Sequence, residues 1–259
     1  MVSVDDEVGG GVAQVWGMVA AGAREVMGNV WRRQRMRRQR RGAVRGQGEV
    51  VVGGEEGSAP SGDLEGQCWV VTGGNAGVGR AVAGAAGRRG ATVVVACRSV
   101  ARGREAAEAL AGEGPAGRGR YEVAPLDLTA LESVRAFPGV LDAMGVGRVD
   151  VLVNNAGVMA VPVRTVTGDG HEAQFQVNYL GHFLLSLGMA RRHARGHQGV
   201  LRVVDVASVT AEGARLCLGD VSYRRRKYLP LEAYAQSKLC AILHAREFHR
   251  RWAHRVGAR

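Results

Sequence analysis

The sequence predicts an α/β domain in which helices cover both faces of a doubly wound parallel sheet. Apolar runs rich in β-branched residues occur at five places, of which the third is the weakest: 68–72, 92–96, 120–124, 149–153 and 200–206. Stretches with helical spacing, such as 78–89 and 100–111, separate these runs. The runs are continuously apolar rather than alternating, which indicates strands buried on both faces. Five strands supply the first four crossovers of such a sheet.

The composition fits one globular domain with an appendage. The 259 residues are 46% apolar, which is enough for a buried core. The net charge of +11 raises the question of a nucleic-acid partner. The basic residues are spread along the chain with few aromatic residues beside them, so we expect no nucleic-acid binding. Only two of the 35 basic residues are lysines, Lys227 and Lys238.

The cysteines and histidines do not predict a metal site. No short paired spacing connects the four cysteines, Cys68, Cys97, Cys217 and Cys240. We therefore expect buried free thiols rather than a zinc site or a disulfide framework. The seven histidines include no HExxH pattern. His193 and His197 are four residues apart on a polar helix end, and we expect them to be solvated.

Residues 1–62 are predicted to be a separate N-terminal segment. Residues 8–23 are apolar but short and rich in glycine, and seven arginines follow between positions 32 and 41. A membrane span needs about 20 apolar residues, so this stretch falls short of one. An apolar stretch with a basic flank nevertheless suits an anchor that binds a membrane surface through residues 8–41. Residues 42–62 are predicted to be a linker.

A disordered basic leader or a targeting peptide is the other interpretation of this segment, and both stay open. The acidic residues Asp5, Asp6 and Glu7 argue against a transit peptide. The predicted location is accordingly membrane-associated, at an endomembrane or organelle envelope, with a cytoplasmic location as the alternative. The folded domain is predicted to cover residues 63–259.

A glycine-rich turn follows the first predicted strand and leads directly into a helix. Glycines allow the sharp turn and let a diphosphate approach the backbone, while the helix N-terminus offers free N–H groups. This arrangement predicts a dinucleotide site in a Rossmann-type domain. The candidate cofactor contacts in this turn are Thr72, Gly73, Asn75, Gly77, Val78 and Gly79.

The residues at the end of the second predicted strand indicate which dinucleotide is bound. A carboxylate there would bond the adenosine ribose hydroxyls of NAD, whereas an arginine would pair with the 2′-phosphate of NADP. The strand ends in Ala96, Cys97 and Arg98, with no acidic residue. We therefore expect NADP(H) rather than NAD(H), with Arg98 as a contact.

Further motifs follow in an order that resembles the short-chain dehydrogenase/reductase family over residues 64–255. The motifs are TGGNAGVG, Asp127-Leu128, NNAG at 154–157, Asn178 of VNYLGHF, Ser208 of VVDVAS and Tyr234-Ala-Gln-Ser-Lys238. The stretches NNAGVM, NYLGHFLL and YAQSKL look like the subgroup of retinol dehydrogenases and the X-linked dehydrogenase/reductase. The resemblance implies a lipophilic alcohol or carbonyl substrate, often acted on at membranes. It also implies cofactor contacts from Asp127, Leu128, Asn154, Ala156, Gly157, Tyr234 and Lys238.

Tyr234 and Lys238 are the residues that we expect to carry the chemistry. They are four residues apart on a predicted helix and therefore share one face. Free tyrosine has a pKa of about 10, and a neighbouring ammonium favours the phenolate. Tyr234 would then exchange a proton with the substrate oxygen while hydride passes to or from the nicotinamide.

The resemblance assigns roles to the remaining catalytic candidates. It implies that Lys238 also bonds the nicotinamide ribose, that Ser208 holds the substrate oxygen, and that Asn178 holds a water linking Lys238 to solvent. Ser208 follows the fifth strand, and ligands bind at the carboxyl ends of strands in open α/β sheets.

The sequence departs from the family pattern in three places. Only 21 residues follow Lys238, so we expect a C-terminally incomplete domain without the sixth strand and with the fifth strand at an edge. Asp205-Val206-Ala207-Ser208 replaces the more usual Asn-Val-Ser-Ser but keeps the serine. Pro138-Gly139 is expected to interrupt the helix after the third strand.

A loop of 25 residues between Ser208 and Tyr234 is expected to border the substrate. Its cluster from Arg224 to Lys227 could meet an anionic membrane surface or a phosphorylated lipid. Solvated side chains are the interpretation that we favour.

Three functional hypotheses therefore follow. The first is an NADP(H)-dependent oxidoreductase of lipophilic alcohols and carbonyls. The second is a non-catalytic dinucleotide-binding protein with a regulatory or redox-sensing role. The third is an inactive truncated paralogue. A homo-oligomer is compatible with each of them.

Overall fold

The computed structural model describes residues 64–113, 119–196 and 199–253, so the predicted N-terminal segment 1–62 lies outside the described residues. Five strands form the sheet: β1 (Cys68–Thr72), β2 (Thr92–Cys97), β3 (Arg120–Pro125), β4 (Val151–Asn154) and β5 (Arg202–Asp205). The helices are α1 (Gly77–Arg88), α2 (Val100–Glu113), α3 (Leu131–Ala143), α4 (Ala173–Phe175), α5 (Gly181–Ala194) and α6 (Pro230–Trp252). A π-helical turn (Gln176–Leu180) joins α4 to α5.

All strand pairs in the sheet are parallel, and the strand order is β3-β2-β1-β4-β5. In register, Val70 of β1 lies between Val94 of β2 and Leu152 of β4. This order confirms the predicted doubly wound α/β sheet of the Rossmann type. The strand order reverses its direction between β1 and β4. An open sheet of this kind binds its ligand at that point.

Both faces of the sheet are covered, as the continuous apolar runs predict. On one face, Val70 and Leu152 pack with Phe137 of α3 and Leu185 of α5. On the other face, Val71, Val93 and Val153 pack with Ala83 of α1 and Leu110 of α2. The apolar side chains of the central strands are therefore removed from water on both sides, which is the main stabilising contribution of the fold.

The predicted interruption of the third helix is wrong, because α3 continues through Pro138 and Gly139. Proline lacks the N–H that would bond the Val134 carbonyl, so the helix loses one hydrogen bond there. Pro138 packs against α5, where a Cβ placed on Gly188 would lie 3.2 Å from the proline Cγ. This packing of α3 on α5 holds the helix together.

The expectation of a solvated His193 is also wrong. The His193 side chain is buried, and its Nε2 lies 3.2 Å from the Gly199 carbonyl, where the chain turns toward β5. His197 lies outside the described residues. All four cysteines are free; Cys97 and Cys240 are buried as predicted, whereas Cys68 and Cys217 are half-buried.

The strand β5 lies at an edge of the described sheet, as expected, and Val204 on this strand is 40% exposed. α6 packs against β5 and begins at Pro230, whose fixed φ and missing N–H suit the first turn of a helix. Within the described ranges, no helix is long and apolar enough to cross a membrane.

Two glycine substitutions test this packing in opposite directions. Gly139 lies inside α3, and a Cβ added to it would meet open space, so Gly139→Ala should raise the free energy of unfolding by about 0.5–1 kcal/mol. In Gly79→Ala, the new Cβ would lie 2.4 Å from the Gly73 carbonyl oxygen, so this variant should be less stable than the parent. Urea unfolding monitored by circular dichroism measures the free energy of unfolding of both variants. A loss of stability in Gly139→Ala would contradict the continuous helix.

Candidate active site

A cleft of about 200 Å³ opens at the carboxyl edge of the sheet, beside the ends of β1, β2, β3 and β4. The residues that line it are Thr72, Gly73, Asn75, Ala96, Cys97, Arg98, Ser99, Arg102, Leu126, Asp127, Leu128, Thr129, Ala156, Gly157, Val158 and Val177. Most of the predicted cofactor contacts are in this set. Ser99, Arg102 and Val177 are among the eight lining residues that were not predicted as contacts.

The glycine turn after β1 has the backbone geometry that its sequence predicts. Gly73 and Gly77 have φ values of 65° and 53°, in the left-handed region that favours glycine. α1 begins at Gly77, and the preceding Ala76 provides no side-chain cap. The N–H groups of the first helical turn therefore remain available to an anion. Gly77, Val78 and Gly79 form this first turn, and none of the three is among the residues that line the cleft.

Thr72 holds the glycine turn to the turn after β4. Its Oγ1 accepts hydrogen bonds from the backbone N–H groups of Asn155 and Ala156, each at 2.9 Å. The remaining hydroxyl hydrogen faces His182 Nε2 at 2.9 Å and the Val153 carbonyl at 3.3 Å. The hydroxyl of Thr72 is therefore occupied inside the protein and aligns two turns that border the cleft.

His182 is the buried partner of Thr72 and was not predicted from the sequence. Burial lowers the pKa of His182 to about 4, so the ring is neutral near pH 7. Its Nδ1 lies 3.3 Å from the Asn178 carbonyl, which can only accept. The proton of the neutral ring therefore resides on Nδ1, and Nε2 accepts from the Thr72 hydroxyl.

The end of β2 forms a basic wall of the cleft. Arg98 and Arg102 both line it, and among the described residues no ion pair engages Arg98. Asp127 supplies the only carboxylate among the described lining residues. Its Oδ1 accepts from the N–H and the hydroxyl of Thr129, at 2.8 and 2.7 Å. The free positive charge at this wall suits an anionic group.

Tyr234 and Lys238 lie on the same face of α6, as their spacing predicts. The Lys238 Nζ lies 5.8 Å from the centroid of the Tyr234 ring and donates to the Val206 carbonyl at 2.7 Å. Lys238 is only 4% exposed. Burial lowers the pKa of its ammonium, and the charge of Asp205 opposes that effect.

Asn178 lies in the π-helical turn, a geometry often found at functional sites. Its Oδ1 accepts from the Val158 N–H at 2.8 Å, and its Nδ2 donates to the Val158 carbonyl and to Ser237 Oγ, each at 2.9 Å. A Cβ placed on Gly157 would lie 3.1 Å from Asn178 Oδ1 and 3.7 Å from Lys238 Nζ. Asn178, Gly157 and Lys238 thus meet at one point, and the bound water implied for Asn178 stays a prediction.

Ser208 follows β5 and precedes a short 3₁₀ helix, Val209–Gly213. Its Oγ accepts from the N–H and the hydroxyl of Thr210, at 3.3 and 3.0 Å. These bonds occupy its lone pairs and leave its own hydrogen to donate to another oxygen. The 3₁₀ helix packs against α6, which brings Ser208 toward the helix that carries Tyr234.

Asn154, one of the predicted cofactor contacts, is the last residue of β4. Its side chain is buried beneath the cleft, where Nδ2 donates to Asp205 Oδ1 at 2.8 Å and to Ser186 Oγ at 3.0 Å. Both amide hydrogens are therefore used within the protein. Asn154 thus joins the ends of β4 and β5, and its cofactor contact stays a prediction.

A buried set of side chains, here called the polar layer, underlies the strand ends. It consists of Thr72, Asn154, His182, Ser186, Asp205 and His244. Sequence reasoning missed His182, Ser186 and His244. The available signal was the spacing of Asn178, His182 and Ser186, which recur every four residues along a largely apolar helix.

Three of the four cationic residues in the cluster after Tyr223, at positions 224, 225 and 227, are exposed as expected, whereas Arg226 is half-buried. The Asp220 carboxylate accepts from the backbone N–H groups of residues 224, 225 and 226 at 2.6 to 3.1 Å. Arg224 donates to the Gly170 carbonyl, and Arg226 stacks 3.7 Å above the Tyr223 ring. These contacts fix the loop that precedes α6.

Comparison with known proteins identifies the family of this chain. The short chain dehydrogenase family model matches residues 67–219. Human retinol dehydrogenase 13 is 36% identical over 205 residues, which cover 78% of this chain and 59% of the relative. Mouse polyprenol dehydrogenase is 42% identical over 187 residues, which cover 71% of this chain and 54% of the relative. The chain thus spans less than two thirds of the length of these relatives.

Two solved structures share the fold. An uncharacterized protein from Mycobacterium Paratuberculosis is 39% identical with a TM-score of 0.65, and the match covers 78% of this chain and 67% of that one. A metagenomic short-chain oxidoreductase in complex with NADP is 29% identical with a TM-score of 0.53, and the match covers 72% and 77%. With the family model matching more than half of its residues, this chain belongs to the short-chain dehydrogenase family.

Proposed function

We propose that the chain is an NADP(H)-dependent oxidoreductase that interconverts a lipophilic alcohol and its aldehyde or ketone, with Tyr234 as acid and base. One observation carries the proposal. Tyr234 lies beside a buried ammonium, Lys238, whose Nζ is fixed at 2.7 Å on the Val206 carbonyl. Val206 follows β5, so this bond holds Lys238 at the carboxyl end of that strand.

The described residues fit a bound NADP. The uncapped first turn of α1 would receive the diphosphate, and Gly73 would let it approach the backbone. Arg98 and Arg102 would pair with the 2′-phosphate, because a guanidinium binds phosphate with two parallel hydrogen bonds. The solved relative at 29% identity is in complex with NADP, which supports NADP rather than NAD as the cofactor.

The bound nicotinamide would accept or supply the hydride. In its phenolate form, Tyr234 would take the proton of a substrate hydroxyl while hydride leaves the substrate carbon for the nicotinamide. In the reverse direction, the Tyr234 hydroxyl donates that proton to the substrate carbonyl oxygen. Ser208 donates its remaining hydrogen to the same oxygen and so orients it.

Exposed apolar residues adjoin the proposed catalytic group and favour a lipophilic substrate. Met159 follows the Val158 that Asn178 binds, Val209 follows Ser208, and Leu231 precedes Tyr234 by three residues; they are 65%, 79% and 61% exposed. Exposed apolar side chains next to the catalytic candidates in the chain favour an apolar ligand. The relatives named for retinol and polyprenol support this substrate class.

Replacing the proposed acid and base tests the chemistry. Tyr234→Phe should retain NADPH binding but lose turnover of retinal or a polyprenal by about 10²–10⁴-fold, because the proton transfer is lost. Stopped-flow absorbance at the nicotinamide band measures turnover, and fluorescence titration measures NADPH binding. Tyr121→Phe, on β3, is the matched control and should keep full activity. Undiminished turnover in Tyr234→Phe would overturn the assignment.

The role of Arg98 and Arg102 is tested by comparing how tightly NADPH and NADH bind. Arg98→Ala/Arg102→Ala should weaken NADPH binding by about tenfold or more, since charge-assisted hydrogen bonds contribute roughly 1.5–3 kcal/mol. NADH binding should change little. Arg104→Ala, also exposed on α2 but outside the cleft lining, serves as the control. An equal loss for both dinucleotides would contradict a 2′-phosphate contact.

We further propose that residues 8–41 bind a membrane surface, because an apolar stretch precedes a cluster of seven arginines. The chain that lacks residues 1–42 should move from the membrane pellet to the supernatant when cells are fractionated. A variant in which the seven arginines are replaced by glutamine should show an intermediate distribution. An unchanged distribution in both variants would overturn membrane binding through this segment.

A further inference from the structure

Two segments next to the candidate active site are joined by one side chain. The first, residues 158–161, is called here the cleft segment, because it begins at Val158, which lines the cleft. The second, residues 228–231, is called the entry segment, because it leads into α6. Within an α-helix a carbonyl accepts from the N–H four residues later, so the Pro230 carbonyl belongs to the turn that carries Tyr234. One segment therefore starts at the wall of the cleft, and the other leads into the helix of the proposed acid and base.

The hydroxyl of Tyr228, in the entry segment, bonds to the cleft segment. It donates to the Val161 carbonyl at 2.9 Å and accepts from Gln174 Nε2 of α4, also at 2.9 Å. Gln174 is fully buried, and its Nε2 also donates to the Pro230 carbonyl at 3.0 Å. The Glu172 carboxylate lies farther from the hydroxyl, at 3.4 Å. These bonds, called here the hydroxyl bridge, fix the two segments relative to each other and to α4.

Backbone strain occurs on both loops that the Tyr228 side chain contacts. Among the residues that the structure describes, Ala160 and Tyr223 are the non-glycine residues with φ in the left-handed region, each at 53°. Ala160 precedes the Val161 carbonyl that accepts from Tyr228, and the Tyr223 ring lies edge-on to the Tyr228 ring with centroids 5.5 Å apart. Such a conformation is costly for a residue with a Cβ and persists only where its surroundings hold it. Strain of this kind clusters at ligand clamps and active sites, so its position on these two loops favours a functional role.

Exposed apolar side chains belong to both segments. They are Met159 of the cleft segment and Leu229 and Leu231 of the entry segment. Met159 is two residues from the bonded Val161 and Leu229 follows Tyr228, so the hydroxyl bridge joins the backbones that carry them. We propose that Tyr228 is a positioning residue whose hydroxyl bridge holds these side chains as one wall for the lipophilic part of the substrate. The proposal deepens the proposed function and rests on it for the identity of the substrate.

Tyr223 provides a matched control for Tyr228. It lies five residues earlier in the same loop, and its ring is buried against the Tyr228 ring. Its hydroxyl is also buried, but it has no hydrogen-bond partner among the described residues. Tyr223→Phe therefore removes the same atom as Tyr228→Phe from the same loop, without breaking a hydrogen bond.

The kinetic test separates positioning of the substrate from chemistry. In Tyr228→Phe, KM for retinal should rise by about two- to tenfold, the effect of losing one hydrogen bond. The kcat and the Kd of NADPH should stay as in the parent, since a higher KM at constant kcat reports lost substrate binding alone. In Tyr223→Phe all three constants should match the parent. Steady-state assays at saturating NADPH measure KM and kcat, and fluorescence titration measures the Kd.

Hydrogen exchange tests the hydroxyl bridge without any need for activity. In Tyr228→Phe, the amides of residues 158–166 should exchange faster than in the parent, because the bond that holds the cleft segment is lost. They should exchange as in the parent in Tyr223→Phe. The amides of β2 are the internal control, since a general loss of stability would accelerate their exchange as well. Mass spectrometry of peptic fragments measures the exchange.

An unchanged KM in Tyr228→Phe would overturn the proposal, whatever the exchange shows. An equal rise of KM in Tyr223→Phe, or a fall in kcat without a rise in KM, would overturn it as well. Faster exchange confined to residues 158–166, with no turnover in the parent, would refute the proposed function and leave the hydroxyl bridge standing. Turnover in the parent with equal KM in both variants and the parent would refute the role of Tyr228 alone.

Discussion

The burial of the Lys238 ammonium is the constraint on which the candidate active site depends. An ammonium taken out of water costs several kcal/mol unless partners replace its hydration. The Val206 carbonyl, bonded at 2.7 Å, provides such a partner. Because Val206 follows β5 and Lys238 belongs to α6, this bond ties the helix to the carboxyl edge of the sheet. Tyr234, four residues earlier on the same helix face, has its ring centroid 5.8 Å from the Lys238 Nζ.

The polar layer explains how the turns around the cleft are held. Backbone N–H groups in a buried turn need acceptors, and the Thr72 hydroxyl supplies one to both Asn155 and Ala156. His182 and Asn154 extend the hydrogen bonds from β1 to α5 and β5. The residues that shape the site are therefore largely distinct from those that would touch the ligand, and both sets meet at the ends of the same strands.

The strands, the glycine turn and the Tyr234–Lys238 pair could be predicted because each is encoded in a short stretch of sequence. The errors share a different origin. Pro138 is tolerated because α3 packs on Gly188, and His193 is buried because its ring reaches the Gly199 carbonyl. Asn154 donates to Asp205, which lies 51 residues later in the chain. Such contacts form only in the folded structure, so the local pattern of the sequence does not predict them.

The central claim is that this cleft supports hydride transfer between NADP(H) and a lipophilic carbonyl compound. Its most direct test is isotopic: the full chain is incubated with retinal and NADPH deuterated at the nicotinamide C4, separately in each of the two C4 positions. Mass spectrometry of the product measures the transfer. We expect retinol that carries one deuterium on its hydroxyl-bearing carbon from one of the two cofactors. Firm binding of NADPH without deuterium in any product of a retinoid, polyprenoid and steroid panel would contradict the claim.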